Sequence, residues 1–254
     1  MPSLQLVRNA DYDGDGSVDE EELREARRAR LEEYLNSVEN SEMVDLSSSG
    51  IGPEEAQIIA DRLASNATIT HLSLDANSLE DEGATYIAKA LRQNSKLKHL
   101  GLWRNQISAV GATQLAASLY QNCSLETLSI EANYVGNAGA VSLAAALRMN
   151  KTLKTLNLWK NQIGSPGAKA LADALASNCT LTSLNLCQNE ISAEGAAALA
   201  DALELNRSMA SRIQPNKASR VSDRRRSMDQ SEVAMATFRG GVLGKRAPLH
   251  KSPS

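Results

Sequence analysis

Leucine and its aliphatic relatives return along this chain with a period of 28 residues. Leu72, Leu100, Leu128, Leu156 and Leu184 form one column, and Leu74, Leu102, Ile130, Leu158 and Leu186 a second. A third column is polar: Asn77, Asn105, Asn133, Asn161 and Asn189. Leu79, Ile107, Val135, Ile163 and Ile191 follow, then Gly83, Gly111, Gly139, Gly167 and Gly195. Ile87, Leu115, Leu143, Leu171 and Leu199, and after them Leu91, Leu119, Leu147, Leu175 and Leu203, complete the unit. An earlier stretch (Val44, Leu46, Ser49, Ile51, Ala56, Ile59, Leu63) fits the same frame less regularly. The frame therefore holds six units over residues 43–208, with no insertion between them.

Each unit carries two hydrophobic periods. TLNLWKNQI alternates like a short strand. PGAKALADALASN repeats its apolar positions at three- to four-residue spacing, like an amphipathic helix. One unit cannot bury its leucine face alone, so the pattern predicts a stack in which neighbours share a continuous core. Parallel strands about 4.8 Å apart line the inner side, and bulkier helices force the outer side to be wider. The Asn77 column is expected to bond backbone groups of the turn that leaves each strand. A second asparagine column (Asn66, Asn94, Asn122, Asn150, Asn178, Asn206) ends the helices, where Asn tolerates the left-handed conformation. Five of these (Asn66, Asn122, Asn150, Asn178, Asn206) match the N-glycosylation acceptor. The repeat itself explains their recurrence, and none is expected to be modified.

The strand-side pattern L-x-x-L-x-L-x-x-N-x-I resembles a leucine-rich repeat. With its 28-residue unit and its G-A-x-x-L-A-x-A-L helix, the array is similar to the ribonuclease-inhibitor-like class found in NLR immune receptors. The resemblance implies an α/β fold: a right-handed leucine-rich-repeat solenoid, or horseshoe, with parallel strands on the concave face and helices outside. It also implies that a protein partner binds the concave face.

Residues 11–22 read D-Y-D-G-D-G-S-V-D-E-E-E and match D-x-D-x-D-G-x5-E, the EF-hand loop. The resemblance assigns carboxylates to Asp11, Asp13 and Asp15, a backbone carbonyl to Ser17, a direct or water-mediated ligand to Asp19, and a bidentate carboxylate to Glu22. Gly16 supplies the sharp turn. The five ligand carboxylates, Asp11, Asp13, Asp15, Asp19 and Glu22, repel one another, and Ca2+ relieves that repulsion. The following segment, EEELREARRARLEEYL, has acids in its first turn and bases after, which suits a helix dipole. EF-hands generally pair, through position 8, here Val18. The chain holds no second loop, so a second EF-hand supplied in trans is one expected partner. A small helical EF-hand segment over residues 1–37 thus precedes the array.

On the open side of the strands, one column runs Asp75, Trp103, Glu131, Trp159, Cys187, and its neighbour Ala76, Arg104, Ala132, Lys160, Gln188. Both tryptophans fall in one column, each followed by a base. Trp and Arg are typical interface anchors, so Trp103, Arg104, Glu131, Trp159 and Lys160 are the predicted partner-binding residues. Their alternation has a period of 56 residues, which suggests duplication of paired units. His71 and His99 share another column without a third ligand of matching spacing. Cys123 and Cys179, two units apart, lie beyond disulfide reach and are expected to be small buried thiols.

Composition adds limits. The 254 residues are 42% hydrophobic but only 3% aromatic, so the core is aliphatic. No run nears the roughly 20 apolar residues of a membrane span, and three cysteines are too few for a disulfide scaffold. MPSLQLVRNA lacks a secretory apolar core, which leads to the expectation of a cytoplasmic protein. The net charge of −3 argues against nucleic-acid binding by the whole chain, yet it hides an asymmetry. Residues 1–40 carry 5 basic and 11 acidic side chains, whereas residues 211–254 carry 10 and 3. That tail, rich in Ser, Arg, Gly and Pro and without helix or strand period, is expected to be disordered. Arg224-Arg225-Arg226-Ser227 resembles a basophilic kinase site, with Ser227 the acceptor. At the array ends, a helix at about 20–37 is expected to cover the first unit, whereas Arg212 and Gln214 interrupt the frame at the far end. No phosphate loop, G-x-S-x-G, H-E-x-x-H or C-x-x-C occurs. The expected function is a calcium-binding, non-enzymatic protein-interaction scaffold. The alternatives are a Ran-type GTPase activator using Arg104, and a structural scaffold with an inactive calcium site.

Overall fold

A computed structural model describes residues 20–206 of the chain. The described elements are α1 (Glu20–Ser37), β1 (Met43–Asp45), α2 (Pro53–Ser65), β2 (His71–Ser73), α3 (Glu80–Gln93), β3 (His99–Gly101) and α4 (Ala109–Leu119), followed by β4 (Thr127–Ser129), α5 (Gly136–Met149), β5 (Thr155–Asn157), α6 (Ser165–Leu175), β6 (Ser183–Asn185) and α7 (Ala193–Leu205). The strands form one parallel sheet in the order β1-β2-β3-β4-β5-β6. Their register is the sequence period itself: Leu72 lies beside Leu100, Leu100 beside Leu128, and Leu128 beside Leu156. Each helix packs on the helices of the neighbouring units.

The core lies between these two layers. The strand leucines, from Leu72 and Leu74 to Leu156 and Leu158, are buried, as are the helix columns Ile87, Leu115, Leu143, Leu171 and Leu91, Leu119, Leu147, Leu175. Aliphatic side chains of one size stack on themselves at every step, so little aromatic bulk is needed. The glycine column has a packing reason: a Cβ on Gly139 would stand 3.0 Å from Ala112 Cβ on the neighbouring helix. Smallness at this position is what lets adjacent helices approach.

The strands are three residues long because the chain then turns sharply. Ser48, Ala76, Arg104, Ala132, Lys160 and Gln188 all have φ between 50 and 55°. Left-handed backbone costs an L residue about 1–2 kcal/mol, and here hydrogen bonds offset it. Ala76, Arg104, Ala132 and Lys160 each donate their N–H to a carbonyl of the next unit, at 2.6–3.0 Å. The Asn77 column completes the turn. Asn105 Nδ2 donates to Leu74 O at 2.8 Å, and Asn133 Oδ1 accepts from Asn105 N at 2.9 Å and Ile107 N at 3.0 Å.

The helix-ending asparagines correct one expectation. Asn66, Asn94 and Asn150 are extended, with φ −67 to −73° and ψ 131 to 134°. Their value lies in the side chain. Asn94 Nδ2 donates to Leu63 O (2.7 Å) and Asn66 O (3.0 Å), while Oδ1 accepts from Lys96 N and Leu97 N. The same set recurs at Asn122, Asn150 and Asn178, all buried. Glycan attachment to such an amide is incompatible with these bonds.

The two ends differ. At the first unit, α1 buries Ala26, Leu31 and Leu35, and Leu31 and Leu35 join the common core. Arg62 Nη1 donates to Asn36 Oδ1 at 2.7 Å, and Tyr34 Oη to Asp45 O at 3.4 Å. At the other end, α7 buries only Gly195 and Ala202. Leu199 stays partly exposed, and Leu205 is 68% exposed.

Candidate functional site

The face of the sheet turned away from the helices is built from alternate strand positions. In β3, Leu100 points into the core while His99 and Gly101 point outward, and the chain continues through buried Leu102 to half-buried Trp103. Trp159 occupies the equivalent place two units on and is also half-buried. The following residue bends back in left-handed conformation and lays its charge over the ring. Arg104 Cζ stands 5.3 Å from the Trp103 centroid, and Lys160 Nζ 5.9 Å from that of Trp159. Stacking of this kind contributes about 0.5–1 kcal/mol at exposed sites. The structure thus brings Trp103, Arg104, Trp159 and Lys160 onto one face as two copies of one motif.

Acids fill the alternate rows, but they are engaged. Asp75 Oδ1 accepts from Trp103 N at 2.8 Å. This requires glycine at residue 101, because a Cβ there would stand 2.7 Å from Asp75 Oδ1. Glu131 accepts from Ser129 Oγ and Asn157 Nδ2. Arg104 and Lys160, by contrast, form no ion pair among the described residues, where the strand-side pair is Lys154–Glu126 at 2.7 Å.

His71 and His99 stack, with centroids 4.1 Å apart and ring planes within 12°. Thr70 Oγ1 lies 2.8 Å from His71 Nδ1. Burial holds His99 below the ordinary histidine range; the His71 charge, Lys98 and Lys154 add to that, and Glu126 opposes it. Among the described residues, no group of three His, Cys, Asp or Glu side chains is placed to hold a metal ion. Cys123 and Cys179 are exposed, not buried as expected, and Cys187 is half-buried. At these turns the asparagine points inward, which leaves the residue after it facing outward.

Asp11, Asp13, Asp15, Ser17, Asp19, Ser227 and the 211–254 tail lie outside the described residues. Glu22 stands in the first turn of α1. Among the described residues, no helix is long and apolar enough to cross a membrane.

The 56-residue alternation is built into the backbone. Gln106 and Gln162 have positive φ in one pair of turns, whereas Glu80 and Gly136 have it, two residues later in the unit, in the other pair. Asp81 accepts from Ser108 N, Ser108 Oγ and Gly111 N at the start of α4. Asn137, 56 residues on, accepts from Gly164 N and Gly167 N at the start of α6. The sequence signal for this existed in the Asp81 and Asn137 positions, but the apolar columns masked it.

The family model "Leucine Rich repeat" matches residues 65–88, 121–144, 150–172 and 177–200. No curated protein matches the chain. Among solved structures, actin-binding site 2 of leiomodin-1 is similar at 19% identity and TM-score 0.48, covering 70% of this chain and 88% of that one. The C-terminal domain of Caenorhabditis elegans tropomodulin is similar at 15% identity and TM-score 0.44, covering 71% and 95%. An internalin from Listeria monocytogenes is similar at 18% identity and TM-score 0.37, covering 65% and 54%. With the six-stranded parallel sheet and its flanking helices, the repeat matches make the array an α/β leucine-rich-repeat solenoid.

Proposed function

We propose that this leucine-rich-repeat solenoid, of the ribonuclease-inhibitor-like class, is a non-enzymatic cytoplasmic scaffold that binds a protein partner on the strand face, taken as the concave one, under the influence of calcium. The observation that carries the reading is the doubled Trp-base stack, Trp103–Arg104 and Trp159–Lys160, on the face the helices leave open. Half-buried tryptophans beside cations supply apolar area and charge together, which is the make-up of interface anchors. The combined variant Trp103→Ala/Trp159→Ala is expected to keep the circular dichroism of the native chain and lose its co-purifying partner. Val141→Ser, on exposed α5 surface (49%), is expected to retain that partner. Equal retention by both variants would refute the reading.

The calcium part rests on residues 11–22. The donor set is all oxygen and rich in carboxylate, which suits a hard dication. Its last member, Glu22, opens α1, and α1 covers the first unit through Leu31 and Leu35. Calcium would draw Glu22 toward the loop and so bias the seating of α1 on α2. Calorimetry of the full chain with magnesium present is expected to show saturable binding at about micromolar calcium, abolished by Glu22→Gln. No heat below millimolar calcium would leave the array to act without calcium. Ser227 is retained as a proposed phosphorylation site in the basic tail.

A further inference from the structure

The partner's shape follows from the spacing and charge of the two stacks, on the reading that this face is the binding face. We infer that the occupant is an α-helix lying across the strands, with acidic residues one heptad apart that meet Arg104 and Lys160. Neighbouring strands are about 4.8 Å apart, so equivalent residues two strands apart stand about 10 Å apart along the face. An extended peptide presents same-face side chains about 6.7 or 13 Å apart, and neither distance spans the two stacks. A helix presents residues i and i+7 on one face at about 10.5 Å. The row between the stacks, at about 5 Å, then meets residues i+3 and i+4, and that row holds Glu131.

Charge decides what those residues are. Asp75 and Glu131 already accept hydrogen bonds from Trp103 N and from Ser129 Oγ and Asn157 Nδ2. Arg104 and Lys160 are exposed, each held over its own ring, and have no ion pair among the described residues. A left-handed backbone at both positions pins where each cation starts. Carboxylates at i and i+7 pair with the two bases, and apolar residues beside them cover the rings. A cation or neutral residue at i+3 or i+4 fits the Glu131 row.

The chain holds two tryptophans, and both are in this site, so its intrinsic tryptophan fluorescence reports on the face alone. The full-length protein is titrated with three helix-stapled peptides of about 20 residues, long enough to hold helical structure. All three have equal hydrophobic content. The first carries Glu at i and i+7, the second the same residues rearranged to i and i+4, and the third Lys in place of Glu at i and i+7. The heptad-spaced acidic peptide is expected to shift the emission and to bind about tenfold more tightly than either of the others. Arg104→Ala/Lys160→Ala is expected to remove that preference while keeping the fold. Equal affinity for the two acidic peptides overturns the heptad spacing. Preference for the Lys peptide, or no emission change with any of the three, overturns the acidic helix. In either case the face itself stands if Trp103→Ala/Trp159→Ala still loses the co-purifying partner, and falls with it if that partner is kept.

Discussion

Asn133 shows what a single residue contributes to this fold. It is 2% exposed; its Nδ2 donates to Leu102 O at 2.9 Å and Ile130 O at 3.0 Å, while its Oδ1 takes two N–H groups of the preceding unit. Alanine there strands two buried N–H donors and the Leu102 carbonyl, while Ile130 O keeps the Asn161 Nδ2 donor, next to a left-handed residue, Ala132, that depends on the turn. Asn133→Ala is expected to cost about 2–4 kcal/mol in urea unfolding. A cost below about 0.5 kcal/mol would mean that water replaces the amide without penalty. The bonding role of this column was legible, because a polar residue recurring between leucine columns has to be bonded inside. The site of backbone strain was not. Ala76, Arg104 and Lys160 give no glycine-like signal for positive φ, and the turn hydrogen bonds that hold them there come from the next unit.

Among elements, β2 and β3 carry the one stacked ring pair of the described face, His71 over His99. The folded chain holds the His99 pKa below its ordinary value, so the unfolded chain binds more protons in the window beneath it. That stability is fully present above about pH 6.5 and is lost as pH falls below it. The urea midpoint is therefore expected to drop between about pH 7 and 5, and His99→Gln is expected to flatten that drop. A drop of the same size in the variant would assign it to other groups. The strands and helices were legible because alternation and three-to-four spacing fall in fixed places within each 28-residue unit. The stacking of two histidines was not, since a shared column gives adjacency but no ring orientation. The exposure of Cys123 and Cys179 was also missed, because the sequence shows which residues recur and not which side of a tight turn they take.

At the scale of the molecule, the two ends of the array differ among the described residues. Helix α1 seals the first unit with Leu31 and Leu35, whereas among the described residues α7 keeps Leu199 only partly buried and Leu205 68% exposed. The candidate face was legible as a list of outward columns. What the columns lacked was the difference between hydrogen-bonded acids and bases that form no ion pair among the described residues. The caps from Asp81 to α4 and from Asn137 to α6 give the array a parity. An odd-numbered cut joins two units that do not recognise each other. Removing residues 99–126 leaves Asp81 facing a helix that begins at Gly136, in the wrong kind of turn. Removing residues 99–154 hands Asp81 the Gly164 and Gly167 amides that Asn137 now holds. The longer deletion is expected to melt cooperatively and the shorter one to melt broadly and at lower temperature, although it keeps more of the chain. Descent of such a protein would then proceed by gain and loss of couples, and relatives would differ in length by multiples of two units.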